Sequence, residues 1–193
     1  DGGFGDMDIQ AGTFIFYGYV SLGDNTKTIT VRTNATLQIN NTGDNLTSKN
    51  IILDGGSTVS STLPNRLRPP FCAVPGPVAL GGAATFNVVA NDAIILNGVV
   101  SGAGSLIANG AGNVVLGVSN TFSGDLNIQS GTVALTNDAS VTHAANIILG
   151  GTLDASVRTD GTLTLAGGQT LKGSGNVAGI LNAPAGSTVS PGN

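Results

Sequence analysis

The stretch from residue 99 to residue 135 constrains the fold of this 193-residue chain more than any other part of it. It reads VVSGAGSLIANGAGNVVLGVSNTFSGDLNIQSGTVAL, with short apolar runs that are each closed by Gly, Asn or Ser. In its last third, apolar residues alternate with mostly polar ones. Successive side chains of a β-strand point to opposite faces, so this alternation predicts short strands with one buried face. The glycines between the runs favour turns and would each cost a helix about 1 kcal/mol.

Composition extends the prediction of β-structure to the whole chain. The sequence has 30 Gly, only 9% charged residues and 4% aromatic residues, and all 11 of its acidic residues are Asp. Strong helix formers such as Glu and Lys are therefore scarce, whereas Val, Ile and Thr are frequent. The net charge of −4 and the scattered basic residues argue against binding to nucleic acid or to an anionic membrane surface. No apolar run approaches the roughly 20 residues that a membrane-spanning helix needs.

Internal repeats indicate how the strands are arranged. Residues 5–16 recur without a gap at 124–135, and residues 50–59 resemble residues 146–153. An apolar triplet of the same kind occurs again at 94–96 and 114–116. Repeated short strands with Gly and Asn corners predict one small unit stacked many times. At roughly 20 residues per coil, residues 1–193 would form a single parallel β-solenoid of about nine or ten coils.

Four motifs in the central stretch connect the chain to a known family. They are GAGSL from Gly102, GAGNVVL from Gly110, NTFSG from Asn120 and GTVAL from Gly131. In this order they resemble the autotransporter-associated β-strand repeat, also called the passenger-associated transport repeat. The resemblance is strong over 99–135 and weaker over 161–193. It implies a single-stranded right-handed parallel β-helix in a secreted or surface-displayed bacterial protein, without catalytic residues or a cofactor.

One segment, residues 61–82, interrupts the pattern of short strands. Five of the seven prolines lie in its central part, between residues 63 and 77. Proline lacks the N–H that a strand donates to its neighbour, so we expect the segment to leave the coil as an excursion. It would be either a plain surface loop or a contact loop, in which Phe71 is the anchor and Arg66 and Arg68 lie beside it.

Outward-facing aliphatic residues provide a second candidate contact surface. If Ile51 and Leu53 face the core, then the residue between them faces solvent. The same alternation applies in the other apolar triplets. Stacking would align the four outward residues into one exposed apolar stripe, a feature that usually marks a partner surface or lies under a loop: Ile52, Ile95, Val115 and Ile148. The cover would be the proline-rich excursion or a neighbouring subunit.

A polysaccharide-acting β-helix enzyme is the alternative from another functional class. Glycosidic cleavage uses a pair of carboxyl groups on one face. Asp6 and Asp8 are the only acidic residues two positions apart, and no Arg or Lys accompanies them in sequence. The pairing alone is weak support for a catalytic site.

The remaining reactive side chains do not form a recognisable motif. His143 is the only histidine, and the nearby Ser140 and Asp138 lack the G-x-S-x-G context of a nucleophile, so an exposed turn is favoured. One His and one Cys cannot supply a zinc site. Cys72 has no cysteine partner in the chain, and we expect it to be a small buried hydrophobic residue.

Together these patterns predict an extracellular or cell-surface bacterial protein with a structural role. It would build a rigid rod or a head-to-tail fibre with an adhesive or matrix function, and it would catalyse no reaction. Self-association and a surface glycan are the expected partners, with no metal, nucleic acid or membrane insertion. The alternatives are a polysaccharide-acting enzyme and a glycan-binding passenger fragment. Because the sequence begins at Asp1 without a signal segment, we expect a processed form or a fragment.

Overall fold

A computed structural model describes residues 5–17, 26–40, 49–61 and 72–192 of the chain. These residues form 22 short β-strands, which we number β1 to β22 in chain order, and no α-helix. Within the same ranges, no helix is long and apolar enough to cross a membrane.

Three of the four sheets form the main faces of the structure. Face A has five strands: β1 (Met7–Ile9), β3 (Thr28–Val31), β5 (Asn50–Leu53), β8 (Val78–Leu80) and β11 (Val100–Ser101). Face B has nine: β2 (Thr13–Tyr17), β4 (Thr36–Asn40), β6 (Thr58–Ser61), β9 (Ala84–Asn87), β12 (Leu106–Asn109), β14 (Leu126–Ile128), β16 (Asn146–Leu149), β19 (Thr170–Gly173) and β22 (Thr188–Pro191). Face C has six: β7 (Cys72–Val74), β10 (Ala93–Leu96), β13 (Asn113–Leu116), β15 (Thr132–Leu135), β17 (Thr152–Asp154) and β20 (Asn176–Ala178).

A fourth sheet of two strands pairs β18 (Thr162–Thr164) with β21 (Ile180–Asn182). In chain order these two strands occupy the place of face A, between a face C strand and a face B strand. The chain therefore visits the faces in the same cyclic order from coil to coil. Face A has no strand between β11 and β18.

All the strand pairs are parallel, and each strand pairs with its equivalents in adjacent coils. At the start of the chain the step between coils is longer, since Ile51 pairs with Val78 on face A. Near the centre it is shorter, because Asn120 accepts a hydrogen bond from Val100 across 20 residues. The predicted all-β parallel solenoid is confirmed. Nine strands stack in the longest sheet and the solenoid makes about seven turns, slightly fewer than the nine or ten coils expected.

Inward-facing aliphatic side chains form the core as continuous columns. The face C column places equivalent residues of six successive strands in register: Cys72, Ile94, Val114, Val133, Leu153 and Val177. The first five are at most 1% exposed, and Val177 is partly buried. Burial of one such aliphatic side chain contributes about 1.5–3 kcal/mol, whereas an exposed ion pair contributes about 0–1 kcal/mol. The columns explain how a chain with so few charges can be stable.

Glycines at the corner between faces A and B let adjacent coils approach closely. A Cβ atom at Gly82 would lie 2.6 Å from the Cα atom of Gly55, and a Cβ at Gly104 would collide with the Gly82 carbonyl. Gly124 stands in the same relation to Gly104. The second glycine of the GAGSL motif is therefore required by the neighbouring coil and not only by its own turn.

The internal repeats found in the sequence do not stay on one face. Residues 5–16 contain β1 and most of β2, which lie on faces A and B, whereas residues 124–135 contain β14 and β15, on faces B and C. Both copies turn at a glycine with positive φ, 74° at Gly12 and 66° at Gly131. The repeated unit is thus a strand–corner–strand element that can serve at either corner.

Candidate functional site

The last coil leaves inward-facing apolar residues uncovered. Leu181 pairs with Leu163, and Val189 pairs with Leu171. Leu163 and Leu171 are 2% and 4% exposed, whereas Leu181 and Val189 are 38% and 41% exposed. The two exposed residues continue the core columns, and the only difference is that no described strand stacks on their outer side. This end of the solenoid is a candidate interaction surface.

A cleft of about 150 Å³ runs along this end. Its walls include Leu171, Val177, Leu181 and Val189, and Lys172 contributes the charged side chain. Among the described residues, β21 and β22 each have a partner strand on one side only, so the backbone groups of their outer sides take part in no described ladder. An open strand edge beside an apolar cleft is a template for another strand.

At the opposite end of the stack, β1 and β2 also have a described partner strand on one side only. A wider groove of about 450 Å³ follows β1 and the start of β2, lined by Met7, Ile9 and Phe14 among others. Met7 and Phe14 are partly buried against the core, and the Phe14 ring contacts the Phe16 ring edge-on, with 5.0 Å between their centroids. β1 lies on face A and β2 on face B, and β21 and β22 occupy the same two places at the other end. The two ends therefore offer corresponding strands.

The carboxyl pair considered for catalysis lies at the β1 end. Asp8 forms an ion pair with Arg32 of the next coil, with 2.7 Å between Asp8 Oδ1 and Arg32 Nε, and Arg32 also reaches Asp54 of the third coil at 3.4 Å. The hydrogen bond from Arg32 holds the pKa of Asp8 below its usual value, and Asp8 raises the pKa of Arg32. Asp6 Oδ1 accepts a hydrogen bond from the backbone N–H of Thr28 at 2.8 Å.

These contacts link successive coils. A general acid in glycoside hydrolysis needs a raised pKa, and an ion pair with arginine acts in the opposite direction. The sequence shows no basic residue close to Asp8, but the stacking of coils places Arg32 beside it.

The predicted apolar stripe is divided among three faces. Ile52 lies on face A and is 37% exposed, and Ile148 lies on face B, beside Asn127 and Lys172. Only Ile95 and Val115 are adjacent, as a directly paired position on face C. All four side chains point outward as predicted, but the prediction that they align into one stripe is wrong. A role for any of them in contacting a partner stays a prediction.

The proline-rich segment is only partly described. Within the predicted excursion 61–82, residues 72–74 form β7 and residues 78–80 form β8, so this part belongs to the solenoid. The contact-loop residues Arg66, Arg68 and Phe71 lie outside the described residues.

The remaining reactive side chains, Cys72 and His143, have the burial and exposure expected from the sequence. Cys72 is 1% exposed, as predicted, and its Sγ lies 3.2 Å from the Ile39 carbonyl oxygen. His143 is exposed in a turn, also as predicted. Across the described ranges, no three potential ligands among His, Cys, Asp and Glu come together to hold a metal ion.

Two buried amide side chains are important in the structure and were not singled out from the sequence. Asn120 accepts a hydrogen bond from the Val100 N–H at 2.9 Å and donates to the Val118 carbonyl at 2.7 Å. Gln169 donates to the carbonyl oxygens of Val141 and Ala144. Asn120 lies in a segment where face A lacks a strand, and Gln169, which follows β18, bonds to another such segment. Their amides supply bonds that a strand ladder would otherwise provide. Asn120 belongs to the NTFSG motif, so the sequence did mark its position, whereas no motif marks Gln169.

Comparison with known proteins finds one informative relative. The chain is 33% identical over 114 residues to the adhesin BmaC autotransporter of Brucella suis biovar 1 (strain 1330). The aligned part is 58% of this chain and 3% of the adhesin, so the chain spans a small fraction of that protein's length. No family model matches the chain, and no solved structure matches it significantly. The match to an autotransporter confirms the resemblance to passenger repeats predicted from the sequence.

Proposed function

We propose that this protein is a segment of a rod on the bacterial cell surface, with an adhesive or matrix role. The observation that carries the proposal is the uninterrupted stack of nine parallel strands on face B, over a core of aligned aliphatic columns. Its similarity to an autotransporter adhesin supports an extracellular position. In this role the solenoid acts through its geometry, because it holds surface groups at fixed distances along a stiff body.

Each added coil lengthens such a rod by about 4.8 Å, the spacing between paired strands. Nine stacked strands correspond to a body about 40 Å long along the solenoid axis. Each coil contacts mainly its neighbours, so coils can be added without rearranging the rest. Length is then set by the number of coils.

We further propose that the ends of the rod stack on coils of the same kind, including those of a second copy of this chain. Exposed Leu181 and Val189 at one end and the groove beside Met7 and Phe14 at the other would be covered by such stacking. The end strands also occupy corresponding positions, since β21 and β22 at one end stand in the same order as β1 and β2 at the other.

The test compares particle length in wild type and in end variants. We expect negative-stain images and light scattering of the wild type to show particles longer than a single nine-strand stack, with a mass that rises with concentration. Leu181→Lys and Val189→Lys would place a charge in the stacking surface and shorten the particles. Ile180→Lys is the matched control, because Ile180 lies in the same strand, is 64% exposed and points away from the core column. Wild-type protein that stays at monomer mass at every concentration would refute end stacking.

We also propose that the protein catalyses no reaction, which leaves the polysaccharide-acting enzyme as the rival. The proposal is supported by the engagement of Asp8 with Arg32 and of Asp6 with the Thr28 N–H. A reducing-end assay on acidic and neutral glycans tests it. Activity in the wild type that is lost in the Asp6→Asn, Asp8→Asn double variant would overturn it.

A further inference from the structure

The break in face A leaves an opening in the wall of the solenoid. Between β11 and β18 this face is formed by irregular segments, one of which is residues 136–145. No backbone hydrogen bond among the described residues joins 139–145 to β18 in the next coil. The coils are instead connected on either side of the opening. Thr159 donates its N–H to the Asn137 carbonyl, and the Gln169 amide donates to Val141 and Ala144.

A cavity of about 150 Å³ lies between these two connections. Val141 and Leu163 form its apolar floor, of which little is accessible because each residue is 2% exposed. Four hydroxyl-bearing residues line the cavity from the two coils: Ser140, Thr142, Thr162 and Thr164. The Ser140 and Thr142 hydroxyls make no hydrogen bond to another described residue, so they are available to a ligand.

Arg158 completes the lining as a hydrogen-bond donor without adding net charge. Its side chain is 13% exposed, and its Nε and Nη2 atoms contact the Asp160 carboxylate at 3.0 and 3.3 Å. A guanidinium has five N–H donors, so donors remain after this pairing. The lining thus combines an apolar floor, hydroxyl groups and a guanidinium whose charge is balanced by a carboxylate. This combination suits an uncharged ligand with many hydroxyl groups.

We propose that this cavity binds one uncharged pyranose ring, such as the terminal sugar of a glycan. Its volume equals that of about five water molecules, which leaves room for one ring and not for two. The ring would lie over the floor formed by Val141 and Leu163, and its hydroxyls would bond to Ser140, Thr142, Thr164 and Arg158. The site is on the side wall, so it extends the proposed function without depending on it. A protein that never stacks end to end would still bind the sugar.

Saturation-transfer NMR with the methyl pyranosides of glucose, galactose, mannose and N-acetylglucosamine tests the proposal. We expect saturable binding of at least one of them at millimolar concentration. The Thr142→Val, Thr164→Val double variant keeps the β-branched shape and removes two hydroxyls, and it should raise the dissociation constant about tenfold, the loss expected for one or two hydrogen bonds. Ser140→Ala provides an independent single change.

The matched control is Thr58→Val, Thr85→Val, which removes two hydroxyls from half-buried residues at paired positions of adjacent strands on face B. Its dissociation constant should equal that of the wild type. The absence of binding by every pyranoside would mean that the cavity holds water only and would overturn the proposal. Equal weakening in the control, unchanged affinity in both cavity variants, or a preference for a uronic acid over its neutral sugar would overturn it as well.

Discussion

Replacement of Gln169 by leucine is the most direct test of how the broken part of face A is held together. Gln169 is 3% exposed. Its Nε2 atom donates to the carbonyl oxygens of Val141 at 2.8 Å and Ala144 at 2.7 Å, and its Oε1 atom accepts from the Ala166 N–H at 3.1 Å. Leucine fills a similar volume but makes none of these bonds. The Val141 carbonyl would keep its bond from the Ala144 N–H at 3.1 Å, so the variant would leave two backbone groups without a partner, the Ala144 carbonyl and the Ala166 N–H.

The expected loss of stability follows from the number of groups left unsatisfied. An unpaired buried donor or acceptor costs about 1–3 kcal/mol. The surrounding turns can relax partly around the new side chain, so the two costs will not add fully. We expect Gln169→Leu to lower the free energy of unfolding by about 3 kcal/mol, a large effect for a single substitution.

Urea denaturation followed by circular dichroism measures this loss, and hydrogen exchange locates it. Exchange protection should fall in residues 139–145 and 166–169 before it falls on face C, because each coil depends mainly on its neighbours. Gln129→Leu is the control, since Gln129 is exposed and its replacement should change stability by less than about 0.5 kcal/mol. A loss below about 1 kcal/mol for Gln169→Leu would refute the view that this amide replaces a strand ladder.

Two further substitutions test the corner glycines and the ion pair. Gly104→Ala should lower the free energy of unfolding by about 1–3 kcal/mol because its Cβ would collide with the Gly82 carbonyl, whereas Gly5→Ala, with nothing within 4 Å, should be close to neutral by urea titration. Asp8→Asn should destabilise the protein at neutral pH. The pKa of Asp8 is lowered in the folded state, so its ion pair with Arg32 stabilises above the ordinary value of 3.8 and is lost as pH falls through the lowered value. The stability difference between wild type and Asp8→Asn should therefore disappear in acid; a difference that persists below that pH would contradict the assignment.

The ion pair also shows what stacking adds to a sequence with few charges. Asp8, Arg32 and Asp54 belong to three successive coils on face A, and Arg32 lies between the two carboxylates. They are far apart in the chain, so no local motif connects them. All three are partly exposed, and the pair is a minor contribution beside the aliphatic columns.

Prediction of the site from the sequence succeeded where the signal was local. Alternation placed Ile52 and Ile148 on outer surfaces, and the single cysteine was correctly expected to be buried. It did not succeed where the partner belonged to another coil. The roles of Gln169 and of the cavity beside Thr142 depend on a missing strand in face A, and an absent ladder leaves no pattern in the sequence.

Alternation, glycine corners and the passenger-repeat motifs were sufficient to establish a parallel β-solenoid, because the direction of a side chain in a strand depends only on its immediate neighbours. The allocation of strands to faces required the folded chain. Coils differ in length along the solenoid, so the position of a strand in the sequence does not by itself give its face. For that reason two equivalent triplets, around Ile52 and Ile148, lie on different faces, and the open ends and the wall cavity were visible only once the coils were stacked.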